Sequence, residues 1–224
     1  MIGAQLVLAH ANKIVMLALL VGMAWRGRLG QCWAFSAYVV AALIGNALAS
    51  FWPERFYTAS FWMFKQAVYD LLKMAIGIEL AYRAFAAFPG AWRTARLLLL
   101  AVLAASTITL AVFTPRASYA TVWDWQPSIL TAAVWLLTAT ALIVTWYHVP
   151  IGAWPRVIML GLAPYLLTFA TVLRLIQRRG GTIEWVGLLD SVAWLVLMGF
   201  WVYTAWGRDR GGDTAQTGPV TADV

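Results

Sequence analysis

Charge is scarce in this chain. Only 11% of its 224 residues are Asp, Glu, Lys or Arg, against about 25% in soluble domains. That scarcity excludes an ordinary soluble enzyme, a disordered chain and a nucleic-acid binder. There is one cysteine and there are two histidines. An intrachain disulfide is therefore impossible, and no Cys/His metal spacing exists. His10 and His148 lie far apart in the chain, which argues against a two-histidine haem site. No phosphate-cradling glycine loop and no serine nucleophile elbow occurs. The sequence therefore reads as non-enzymatic, with no metal, and it specifies no cofactor.

What is abundant is apolar. Hydrophobic residues make up 62% of the chain, and the mean hydropathy is +0.76. A spanning helix needs about 20 mainly apolar residues. The pattern predicts an all-α, polytopic membrane protein, a seven-helix transmembrane bundle over residues 1–206. The spans are expected near 4–25, 33–52, 59–85, 96–114, 127–148, 155–177 and 184–206. Residues 207–224 lack an apolar period and read as a disordered cytoplasmic tail. His10, Asn12 and Lys13 interrupt the first apolar run, and no Lys or Arg precedes it. That run reads as a retained span, not a signal peptide.

Punctuation supports these boundaries. Pro53, Pro89, Pro115, Pro127, Pro150 and Pro155 fall at expected ends, and Pro164 alone sits inside a span, where it should kink the helix. Trp25, Trp33, Trp52, Trp92, Trp123, Trp125, Trp146, Trp154, Trp185 and Trp206 cluster at segment ends, as an interfacial aromatic belt would. Trp62, Trp135, Trp194 and Trp201 lie deeper and read as packing. The net charge of +7 reads as positive-inside topology. With the N-terminus outside, the inner loops hold eight arginines (26, 28, 83, 93, 96, 156, 208 and 210). The outer ones hold five (55, 116, 174, 178 and 179). The bias favours N-out, C-in in a bacterial cytoplasmic membrane.

Ionisable residues at membrane depth default to functional candidates. The third helix concentrates them: Lys65, Gln66, Tyr69, Asp70, Lys73 and Glu79 fall within roughly a 180° arc at helical spacing. Gln66 and Asp70 are four apart, Asp70 and Lys73 three, Glu79 and Arg83 four, so each pair can meet on one face. The arc can bind a ligand, line an ion path, or neutralise itself as a packing feature. Elsewhere the interhelical polar candidates are Lys13, Asp190, His10 and Asn46. Lys13 has no acid on its own helix, so a contact with Asp190 is expected. Asn46 reads as a hydrogen-bonding residue toward a neighbouring helix.

A resemblance rests on softer motifs. A basic turn, Arg26-Gly-Arg28, is followed by the aromatic start Trp33-Ala-Phe35 and Tyr38. The third helix is entered through Phe56-Tyr57 and Phe61-Trp62. It ends with Glu79-Leu-Ala-Tyr-Arg83, Phe85 and Phe88-Pro89. Over residues 1–206 this layout resembles a group of seven-helix integral membrane proteins common in acidobacteria and related environmental bacteria. The group brings no established activity, so the resemblance implies the fold alone. Lys65, Asp70 and Lys73 depart from its pattern.

Three functions follow as expectations. The first is a non-enzymatic sensor or interaction subunit of a membrane complex, working through a membrane-protein partner or as a homo-oligomer. The second is a small-solute or ion transporter using Asp70, Lys73 and Glu79. The third is an accessory subunit of an energy-converting complex that contacts quinone or pigment. The lipid bilayer is the expected surrounding in each case.

Overall fold

A computed structural model describes residues 2–56, 58–86, 119–179 and 184–207. The expected span at 96–114 lies outside the described residues, as does the tail beyond Gly207. The described chain is helical and contains no strand. Its helices are α1 (Ile2–Trp25), α2 (Trp33–Phe51), the single turn α3 (Pro53–Phe56), α4 (Ala59–Ala86), α5 (Tyr119–Trp146), α6 (Ala153–Arg179) and α7 (Glu184–Trp206).

Four of them, α1, α2, α6 and α7, carry stretches long and apolar enough to cross a membrane. The fifth long helix, α4, is charged by Lys65, Asp70, Lys73, Glu79 and Arg83. The apolar part of α5, Leu130–Trp146, is short. Its helix begins at Tyr119, not at Pro127. An interior proline removes one backbone hydrogen bond, a loss a membrane helix tolerates where neighbouring groups re-satisfy the freed carbonyl. Pro164 likewise lies within an unbroken α6.

The ends of the helices follow local chemistry. α1 closes on Gly27, whose φ of +64° is the left-handed conformation glycine adopts without strain. The Arg28 amide reaches back to the Met23 carbonyl at 2.8 Å and the Gly27 amide to Ala24 at 3.1 Å. This pair of bonds satisfies carbonyls that the helix end leaves free. At the end of α5, His148 takes the left-handed position (φ 50°), and Val149 bonds the Val144 carbonyl at 3.0 Å. His148 is thus part of a helix-terminating turn.

Glycines set the helix spacing. α1 runs along α7, where Gly22 sits under the Trp206 indole and Trp206 Nε1 donates to the Ala18 carbonyl at 3.1 Å. α2 approaches α4 at Gly45, beside Tyr69 and Lys65, and α6 approaches α7 at Gly161, beneath Trp201 and Leu197. The core between them is filled by Phe35, Trp201, Ile76, Leu80, Leu137, Ile158 and Leu162, all essentially inaccessible. Val7, Ile14, Leu17, Val21 and Trp25 of α1 face outward, as do Phe64 and Leu71 of α4. Apolar residues on the outside of an apolar helix are what a lipid surrounding requires.

Candidate functional site

The charges of α4 are carried inward by its helical period, but they form two sites. The first lies at half-height. The Tyr69 hydroxyl donates to the carbonyls of Ala41 and Ala42 at 3.4 and 3.2 Å, and Ala42 is near the midpoint of α2. Beside it, Asp70 Oδ1 accepts from Gln66 Nε2 at 3.3 Å and Lys73 Nζ at 3.1 Å. Asp70 is 6% exposed and Lys73 3%. The Lys73 ammonium also lies 4.8 Å from the centre of the Phe169 ring, on α6. A cation over an aromatic face gains electrostatic attraction that grows when water is absent.

Asp190 of α7 joins this centre. Its half-buried side chain lies within electrostatic reach of the Lys73 ammonium and near the Tyr165 hydroxyl. One of its oxygens, Oδ1, is buried and has no hydrogen-bond partner. Around the charges stands an aromatic wall. Tyr38 meets Tyr69 and Trp194 edge-on, each at 5.9 Å, and Tyr165 packs on Trp194 at 4.9 Å. The centre therefore draws Tyr38 from α2, Asp70 and Lys73 from α4, Tyr165 and Phe169 from α6, and Asp190 and Trp194 from α7.

The expected Lys13–Asp190 contact does not form. Lys13 Nζ instead donates to Ser50 Oγ at 2.6 Å and lies 5.4 Å from the Phe51 ring centre. Ser50 and Phe51 are the last residues of α2. A lysine stem can lie along apolar surface while its head reaches the end of the helix layer. That reach carries Lys13 away from Asp190. Asn12 keeps a buried Oδ1 without a partner, His10 is exposed on α1, and Asn46 is half-buried on α2. Lys65 is half-buried, its ammonium 5.8 Å from the Tyr69 ring centre.

Glu79 belongs to the second site, about 14 Å along α4 from Asp70 at 1.5 Å per residue. Its Oε2 accepts from the Ala34 amide at 2.9 Å, and its Oε1 from the Trp33 amide at 3.2 Å. These are free donors at the start of α2, so Glu79 caps a helix it is not part of. Arg83 holds the same carboxylate through Nη2 at 2.8 Å and Nε at 3.2 Å. Cys32 Sγ donates to Oε2 at 3.4 Å. Burial, and then the adjacent Glu79 charge, push the Cys32 thiol up to about 12. It stays a protonated thiol and hydrogen-bond donor at neutral pH. A cleft of about 660 Å³ opens beside this cap, lined by Trp33, Glu79, Tyr82, Arg83 and the Pro150–Gly152 turn among others.

The opposite polarity is handled on α7. Arg28 is only 4% exposed. Its guanidinium donates to the carbonyls of Thr204 at 2.6 Å and Gly207 at 3.3 Å, and Arg26 donates to Trp206 at 3.1 Å. Cations at a helix C-terminus meet the negative end of its dipole. Arg28 also lies 5.4 Å from the Trp154 ring centre. Trp154 is therefore buried against Arg28 and Phe35. Phe35 meets Trp201 at 4.7 Å, and Trp201 meets Trp194 at 6.3 Å. A continuous line of rings so joins the Arg28 cap to the Lys73 centre.

Sequence reasoning missed Tyr38, Tyr165, Phe169 and Trp194 as members of the centre. Each is an aromatic residue in an aromatic-rich chain, and only proximity to the α4 charges sets it apart. Cys32 and Arg28 could have been suspected from their place in the short turn between two apolar helices. Among the described residues no group of three or more metal-ligating side chains converges. No family model matches the chain, and no curated protein or solved structure does so either.

Proposed function

We propose that this chain is a multi-pass protein of the bacterial cytoplasmic membrane, with seven spans and an N-out, C-in orientation. It acts as a non-enzymatic sensor or interaction subunit of a membrane complex. The observation that carries this reading is the Asp70–Lys73–Asp190 centre. Ionisable side chains buried at half-height of an apolar bundle are costly and are retained where they work. Here the Asp70–Lys73 ion pair of α4 stands within electrostatic reach of Asp190 on α7, with aromatic contacts to α2 and α6. A change in charge at that ammonium would be felt by four helices at once. The short connections leave no separate output domain in the described chain, so the signal would pass to a protein partner or a second copy.

Affinity purification from the native host in mild detergent, with mass spectrometry of the retained proteins and small molecules, tests this reading. A stoichiometric membrane-protein partner, lost when Lys73 is changed to Met while the bundle stays folded, is the expected result. A monodisperse lone chain that catalyses flux in liposomes would overturn it in favour of transport. The transport reading draws on the same centre, where two carboxylates face one ammonium. It now rests on Asp70, Lys73 and Asp190, since Glu79 is engaged in capping α2. The quinone or pigment reading draws on the line of rings from Trp154 to Tyr165, and absorbance beyond tryptophan in the purified protein would favour it.

A further inference from the structure

The polar centre has an excess of negative charge. Asp70 is ion-paired with Lys73, and Asp190 lies within electrostatic reach of the same ammonium. Lys73 already donates to Asp70 at 3.1 Å. The Asp190 carboxyl lies near the Tyr165 hydroxyl, yet its Oδ1 is buried with no hydrogen-bond partner. A carboxylate oxygen that accepts nothing is costly away from water, and an ammonium already paired with Asp70 leaves an Asp190 charge uncompensated. The other groups facing Asp190 cannot supply the balance. Tyr38 on α2 and Tyr165 on α6 are neutral phenols, Asp70 on α4 is itself an acid, and Lys13 on α1 is held at Ser50. Lys65 lies over Tyr69.

We propose that the centre binds one proton, carried on Asp190. Asp190 takes it from water and becomes a neutral acid, whose O–H is a donor that an unpaired oxygen lacks. Lys73 and Asp70 then form a balanced ion pair. Releasing the proton leaves two carboxylates competing for Lys73, and the competition pulls on α4 and α7 in opposite directions. A metal ion is a poor alternative occupant, because no group of three or more His, Cys, Asp or Glu side chains converges among the described residues. This inference rests on the reading of the centre as the working part of the bundle, and it names the species that the centre senses or moves.

Infrared spectroscopy of the purified full chain in lipid nanodiscs tests it. At neutral pH the wild type should show the carbonyl stretch of one protonated carboxylic acid, shifted on transfer to D2O and unchanged by added sodium. Asp190→Asn should abolish the band. Asp70→Asn should abolish it too, because Lys73 is then free to pair with Asp190, whereas an acid neutral merely through burial would keep it. The proposal is overturned by a wild type without the band, by a band that survives either substitution, or by a band seen only when sodium is absent. If a variant does not fold, the wild-type spectra in the two solvents still decide. The spectrum reads the proton whether or not a partner protein is found, so the failure of either reading is seen separately.

Discussion

Glu79 and Ala34 belong to different helices, yet the Glu79 carboxylate closes the first turn of α2 through the Ala34 amide at 2.9 Å. The same group accepts from Trp33, Cys32 and Arg83. Replacing it leaves two helix-start donors, and a buried thiol, without their acceptor. A lost cap alone costs about 0.5–2 kcal/mol, and a lost bond to a charged acceptor about 1.5–3 kcal/mol. Glu79→Ala is therefore expected to destabilise by about 2–4 kcal/mol, with Glu79→Gln milder because its amide oxygen can still accept. Thermal unfolding in detergent checks the order. Equal melting temperatures for the alanine variant and the wild type would show that α2 does not depend on this cap.

Cys32 gives a pH dependence with a definite sign. Its thiol is raised from 9.0 to about 12 in the folded chain. Above pH 9 the unfolded chain loses this proton while the folded one retains it, so the unfolded state binds fewer protons and stability falls. The contribution is complete below pH 9 and is lost as pH rises toward 12. Maleimide labelling of the folded protein at pH 8 should be slow, and Glu79→Gln should speed it by removing a neighbouring negative charge. Fast labelling of the wild type would contradict the burial.

Gly161 and Gly199 form a matched pair of substitutions. A methyl group on Gly161 would lie 2.9 Å from both Leu197 and Trp201, whereas nothing stands within 4 Å of one on Gly199. Overpacking a filled interface costs about 1–3 kcal/mol. Gly161→Ala should lower the melting temperature and shift tryptophan fluorescence through Trp201. Gly199→Ala should be neutral or slightly stabilising through helix propensity. The same response from both would place the α6–α7 contact elsewhere.

Lys13 and Asp190 should behave independently. Lys13 is bonded to Ser50, and Asp190 faces Lys73 and Tyr165. A double-mutant cycle with Lys13→Ala and Asp190→Ala should be additive within about 0.5 kcal/mol. The cycle between Asp190→Ala and Lys73→Ala should not be. A coupling of more than 1 kcal/mol between Lys13 and Asp190 would restore a direct contact.

The sequence made the α4 charges legible because they stand out in an apolar chain and recur at helical spacing. The pairs within one helix, Asp70 with Lys73 and Glu79 with Arg83, follow from spacing of three and four residues. Partners between helices were not legible. Glu79 binds backbone amides, which carry no signature in side-chain identity. Asp190 comes within electrostatic reach of Lys73 because α7 and α4 both border α6, and neither periodicity nor composition tells which helices are neighbours. The partner of Lys13 was not legible for a related reason: the flexible stem lets the ammonium sit several ångströms from its own backbone, at Ser50. Trp154 looked interfacial from its place at a segment end, but the turn before α6 folds it under Arg28.

The Arg28 clasp has a consequence in the time of synthesis. The guanidinium and the Thr204 carbonyl are 176 residues apart. At about 5–20 residues per second, roughly 9–35 s separate the emergence of the arginine from that of its acceptor. For that interval, while α2 and α4 are made, the turn after α1 carries a charged side chain that lacks its final carbonyl acceptors. The last helix therefore completes the first one, and the ribosome's pace sets how long the bundle waits open.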